Sequence, residues 1–174
     1  MNLYLDFDGV IADTISVTYK KIEELGIDLK DVDKVSKFYR ELDWFYLLST
    51  VGQINNSIHH IKKIVKDGTY NIYILTTVNS LDEVKAKSEY IRSFGLKLPI
   101  ISVPKGVNKC DMVPANSNLL VDDYSGNLYL WEKAGGIGVK FSLKPSNEFL
   151  SISSLGELNS LPFMQRLIRR IWIY

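Results

Sequence analysis

The sequence predicts an α/β protein: a Rossmann-like, three-layer parallel sheet with a small helical cap inserted after the first strand. Three observations carry that prediction. Short apolar runs suited to buried strands alternate with helical patterns from about residue 70 onward. Three of those runs stop at polar residues: Asp6 and Asp8, Thr76 and Thr77, Asp122 and Asp123. The connection between the first two strands spans residues 8–69 and reads as helical throughout, whereas a crossover needs only about a dozen residues. The expected division is a core of residues 1–13 and 67–174 and a cap of residues 14–66.

Taken in order, Leu3–Leu5 is the first strand candidate, and Asp13 and Thr14 have the character of a helix N-cap. Ile15, Tyr19, Ile22 and Leu25 then recur at helical spacing, with Gly26 suited to a C-cap. Residues 28–48 mix polar and aromatic positions and suggest one or two short helices. Ile54, Ile58, Ile61, Ile64 and Val65 give residues 53–66 one apolar face, ended by Asp67-Gly68. Strands are expected near 70–76, 99–103, 118–122 and 137–141. Helices are expected over 81–94 and 126–134, and a terminal helix over 155–173, where Arg166, Arg169 and Arg170 form a polar face.

Composition narrows the functional classes. Lysine and arginine total 21 against 20 aspartates and glutamates, so no global field attracts a nucleic acid polymer or a membrane surface. No run is long and apolar enough to span a bilayer. The N-terminal apolar run is interrupted by Asp6 and Asp8, so no export signal is expected. The single cysteine, Cys110, leaves no intramolecular disulfide and suits a cytoplasmic location. His59 and His60 have no partner spaced for metal ligation and read as a solvated helix face.

Parallel strands bring their carboxyl ends to one sheet edge, where open α/β sheets bind ligands. Asp6 and Asp8, one residue apart, repel each other unless a cation lies between them, and a hard divalent ion such as Mg²⁺ favours such oxygens. The plainer alternative is a turn whose carboxylates accept backbone amides. Phe38, Trp44, Phe45 and Tyr46 likewise have two readings: packing within the insertion, or a flat apolar surface for a nucleobase.

Asp6-x-Asp8-Gly9-Val10, a hydrophobic strand ending in Thr76, a lysine, and Leu119-Leu120-Val121-Asp122-Asp123 resemble, in order and spacing, the four motifs of the haloacid dehalogenase (HAD) superfamily. The resemblance covers nearly the whole chain. Val121 to Asn127, followed by Trp131-Glu132-Lys133-Ala134-Gly135-Gly136, is similar to the small 5'(3')-deoxyribonucleotidase-like branch, although Tyr124 stands where that branch often carries arginine.

The resemblance implies a Mg²⁺-dependent phosphomonoesterase. Asp6 is then the nucleophile, and Asp8 the general acid and later the base, its backbone carbonyl also binding metal. Asp122 completes the metal site, with Asp123 as a ligand or just behind one. Thr76, with Thr77 after it, serves a phosphate oxygen, and a lysine offsets the gathered charge. Lys105 and Lys109 both precede the fourth strand. Lys109 is preferred because Lys109 to Val113 reads as the first turn of a helix leading to Asn118. Trp44 and Phe45 are the candidate substrate contacts, and the expected substrate is a small phosphate ester, a nucleoside monophosphate first. Competing readings are a phosphatase for another small ester, a phosphotransferase, and a non-catalytic phosphate-binding module on the same fold. A dehalogenase proper is disfavoured by Asp8, since carbon–halogen cleavage has no leaving alcohol to protonate.

Overall fold

The structure, a computed structural model, describes residues 1–160. Its strands are β1 (Asn2–Leu5), β2 (Asn71–Val78), β3 (Ile100–Pro104), β4 (Leu119–Asp122), β5 (Ile137–Phe141) and β6 (Leu150–Ile152). They form one sheet in the order β3-β2-β1-β4-β5-β6, with every neighbouring pair parallel. The helices are α1 (Thr14–Glu24), α2 (Val32–Glu41), α3 (Trp44–Thr50), α4 (Ser57–Asp67), α5 (Leu81–Ser93), α6 (Lys109–Met112) and α7 (Ser125–Lys133). The expected three-layer α/β fold is present.

Strand side chains alternate between the two sheet faces, and two buried clusters follow from that alternation. Leu3, Leu5, Ile72, Ile74, Leu119 and Val121 belong to one. Tyr4, Leu75, Leu120 and Val103 belong to the other, covered by Leu128 and Trp131 of α7. Trp44, Leu47 and Leu48 of α3 and Ile58, Ile61 and Ile64 of α4 lie in the first cluster with β1. The long insertion therefore shares its apolar packing with the sheet.

Four local expectations need correction. Helix α4 begins at Ser57 rather than near residue 53, because Asn55 and Asn56 adopt positive φ and Ile54 N donates to Ile11 O at 3.1 Å. Asp13 makes no side-chain capping bond. Strand β6 was not expected: it is three residues long, and only Ile152 in it is buried, too short for a period-2 signal. Of the expected terminal helix, Leu155–Ser160 forms a 3-10 turn. The rest, including Arg166, Arg169 and Arg170, lies outside the described residues.

Gly135 and Gly136 follow the end of α7, and packing gives Gly136 a reason to be glycine. A Cβ there would lie 2.2 Å from Nε1 of the fully buried Trp131 and 2.9 Å from Ala115 O. The indole cannot retreat freely, because its Nε1 donates to Asn118 O at 3.1 Å. Gly136→Ala should therefore destabilise the fold by about 1–3 kcal/mol, the usual cost of overpacking. Denaturant unfolding checks this, and an unchanged midpoint would contradict the packing described.

Candidate active site

The polar strand ends meet at the carboxyl edge of the sheet. Beyond β1, Asp6 N continues the ladder by donating to Val121 O at 2.9 Å, which sets Asp6 beside Asp122. The chain then turns tightly. Ile11 N and Ala12 N both donate to Phe7 O, and Gly9 N donates to Ala12 O. Gly9 has φ of 72°, and a Cβ on it would stand 2.3 Å from Asp123 Oδ2. Glycine here meets both a positive φ and the close approach of a carboxylate.

Lys109, at the start of α6, is almost wholly buried and sits between two carboxylates. Its Nζ lies 2.9 Å from Asp6 Oδ1 and 2.6 Å from Asp122 Oδ2. Asp122 is also held by Tyr124 N on Oδ1 (2.8 Å) and Asn127 Nδ2 on Oδ2 (2.9 Å). Lys140 donates to Asp123 O and, at 3.0 Å, to Ser125 Oγ. Lys105 instead lines the open cavity above.

Burial dominates the electrostatics. It raises the Asp6 carboxyl to about 8, against the opposing pull of Lys109. It likewise raises Asp123 to about 6, with Asp122 adding to the rise. Burial alone would lower the Lys109 ammonium, but Asp6 and Asp122 outweigh it and the net direction is up. One carboxylate oxygen from each of Asp6, Asp122 and Asp123 lies within 4.8 Å of the others, a spacing that can hold a metal ion. Asp6, Asp8, Glu83, Asp122 and Asp123 face Lys87, Lys109 and Lys140. With all ionised, that set carries an excess of two negative charges, which one divalent cation would neutralise. Those residues therefore suit a hard divalent ion by donor type, spacing and charge.

Asp8 is outside that metal-suited trio, and its carboxylate is engaged elsewhere. Thr14 Oγ1 donates to Oδ1 at 2.7 Å, and Lys87 Nζ lies 2.5 Å from Oδ2. Thr76 is fully buried and accepts from Lys87 at 2.9 Å, while Thr77 lines the cavity. Lys87 and Glu83 were not singled out from the sequence. The available signal was positional: Glu83, Lys87 and Tyr90 recur along one stripe of α5 that continues to its C-cap Phe94, and Glu83, Lys87 and Ile91 are buried on it.

Above the carboxylates is a cavity of about 500 Å³. Asp6, Asp8, Thr77 and Asp123 line its polar end, and Ile15, Leu29, Val35, Tyr39 and Trp44 contribute apolar wall. Trp44 is buried, with its Nε1 donating to Tyr39 O at 3.1 Å. Phe45, paired with Trp44 as a candidate substrate contact, does not line this cavity and is 43% exposed. Successive residues on a helix point about 100° apart, so turning Trp44, Leu47 and Leu48 inward turns Phe45 away. Phe38 and Tyr46 line a separate groove with Lys21 and Leu25.

No family model matches the chain, and no curated protein matches it. Solved structures do. A phosphonoacetaldehyde hydrolase-like protein from Oleispira antarctica aligns with a TM-score of 0.65 at 11% identity, over 98% of this chain and 93% of that one. A HAD hydrolase of family IA, variant 3, from Entamoeba histolytica aligns with a TM-score of 0.61 at 12% identity, over 97% and 99%. A β-phosphoglucomutase from Clostridium difficile aligns with a TM-score of 0.56 at 14% identity, over 99% of both. The chain thus has the fold of HAD-superfamily hydrolases, with its carboxylates and lysines gathered at the sheet edge where that fold's parallel strands end.

Proposed function

We propose that the protein is a Mg²⁺-dependent phosphomonoesterase acting through an aspartyl-phosphate on Asp6, with a nucleoside monophosphate as substrate. The observation that supports this most is the pairing of Asp6 with buried Lys109 beside Asp122, under a cavity that Asp8 also lines. A phosphate ester entering there meets a carboxylate already fixed by Phe7 N and Lys109. An Asp6 oxygen bonds phosphorus, and the ester P–O bond breaks with its electron pair on the leaving oxygen, which takes a proton from Asp8. Water then attacks the aspartyl-phosphate and gives its proton to Asp8, releasing phosphate and restoring Asp6. Asp6, Asp122 and Asp123, with the Asp8 carbonyl, would hold Mg²⁺, which when bound offsets charge on the transferring phosphoryl group. Thr77 and Lys105 border the space the phosphate and its ester occupy.

Three features favour a small aromatic leaving group. The cavity is large enough for one. Its wall carries Trp44 and Tyr39, whose rings stack on each other at 6.4 Å between centroids. The chain's net charge of +1 offers no track for a polymer backbone.

Three results are expected. Asp6→Asn should cut turnover of p-nitrophenyl phosphate by at least about 10³-fold with the fold retained by circular dichroism, and near-normal turnover would remove Asp6 as the nucleophile. Mg²⁺ affinity should rise between about pH 6 and about pH 8, because Asp123 and then Asp6 must lose their protons before they can coordinate. Calorimetric titration across that range checks it, and a flat affinity would contradict the site. Finally, the kcat/KM ratio of nucleoside monophosphates to p-nitrophenyl phosphate should fall about tenfold in Trp44→Leu, in line with the energy of base stacking. Phe45→Ala should leave the ratio unchanged. If nucleotides are no better than the generic ester and both ratios stay put, the substrate is another small phosphate ester.

A further inference from the structure

The mechanism above gives no work to Lys87, yet its side chain is fully buried and in contact with Asp8. We propose that Lys87, held by Glu83, is a positioning residue that fixes the Asp8 carboxylate for proton transfer to the leaving oxygen. The proposal rests on the phosphatase reading and deepens it.

The contacts leave the ammonium little freedom. Lys87 Nζ lies 2.5 Å from Asp8 Oδ2, 2.7 Å from Glu83 Oε1, 2.9 Å from Thr76 Oγ1 and 3.3 Å from Thr77 O. Four acceptors compete for three hydrogens, so no orientation leaves a donor idle. The rings of Trp44 and Phe7 stand 5.0 and 5.3 Å from Nζ and exclude water from the remaining sides. A charge is not buried this fully without strong pairing. Pairing within α5 to Glu83, one turn away, would satisfy a purely structural lysine. The contact to Asp8 reaches across to the loop after β1 and is outside that need.

Glu83 is itself fixed. Its Oε2 accepts from Asn79 N at 2.7 Å and from Asn79 Nδ2 at 3.2 Å, and its backbone N donates to the capping Ser80 Oγ. Thr14 on α1 and Lys87 on α5 therefore hold the two oxygens of Asp8 from two different elements. Each carboxylate oxygen has a second lone pair, and the side chain keeps 17% exposure at the cavity. That leaves room for the proton and for the leaving oxygen.

The role has a signature that simple loss of stability lacks. In the first step the Asp8 proton goes to the departing ester oxygen as the P–O bond breaks. An alkoxide leaving group depends on that proton, whereas p-nitrophenolate departs nearly unaided. The experiment measures kcat/KM, which reports that first step, for glycerol phosphate, phenyl phosphate and p-nitrophenyl phosphate. The proteins are the parent, Lys87→Met, Lys87→Arg, Glu83→Gln and Asp8→Asn, with thermal melts alongside. Lys87→Met should lose about 10²–10³-fold on glycerol phosphate and less than about tenfold on p-nitrophenyl phosphate, the same gradient as Asp8→Asn. Lys87→Arg should recover part of the loss on the alkyl ester. An equal loss on all three esters, or none, overturns the proposal. Should Lys87→Met fail to fold, Glu83→Gln keeps the lysine and carries the test: a graded loss supports positioning, and a flat profile overturns it. A parent protein that turns over none of the three esters overturns the phosphatase reading and this inference together. An active parent with a flat Lys87 profile overturns this inference alone.

Discussion

Lys109 stands between the carboxylates of Asp6 and Asp122, and the centre of the molecule depends on that three-way ion pair. Two aspartates at adjacent parallel strand ends, both shielded from solvent, repel each other and lose hydration. The ammonium offsets both costs at once, from the first residue of the four-residue helix α6. The strand order makes the pair unavoidable: β4 lies directly beside β1, so Asp122 must face Asp6.

Asp8 repeats the arrangement on the other side, toward β2. There Lys87 comes from α5, and Glu83 shares it. Each of the first two motif aspartates therefore has its own buried ammonium, and the two ammoniums reach the edge from helices that follow different strands. Gly9 lets Asp123 close in over the turn between them. The residual negative charge of the whole set is one that a divalent cation would neutralise.

The insertion after β1 is tied to this chemistry by packing. Trp44 lines the cavity, belongs to the apolar cluster that includes β1, and lies over the Lys87 ammonium. One indole thus borders the cavity and the ammonium paired with Asp8.

Much of this was legible in the sequence. The strands announced themselves as short apolar runs, and Asp6, Asp8, Asp122 and Asp123 as carboxylates ending such runs, because both signals are local and need no knowledge of the partner. Lys109 was preferred over Lys105 because it opens a helical turn ahead of β4, and it does stand at the start of α6. Other features were decided only in three dimensions. Whether Trp44 or Phe45 faces the cavity depends on how α3 is rotated against the sheet. The helical stripe of Glu83, Lys87 and Tyr90 marks a face in sequence but not its partner, and only the parallel alignment of β1 with β2 carries Asp8 and Thr76 to the Lys87 ammonium. Strand β6 exists because β5 offers it an edge. The sequence by itself determined which residues end the strands, since apolar runs and carboxylates report their own environment. The tertiary structure alone decided which lysine neutralises which carboxylate, since that depends on strand order and on distances between residues far apart in the chain.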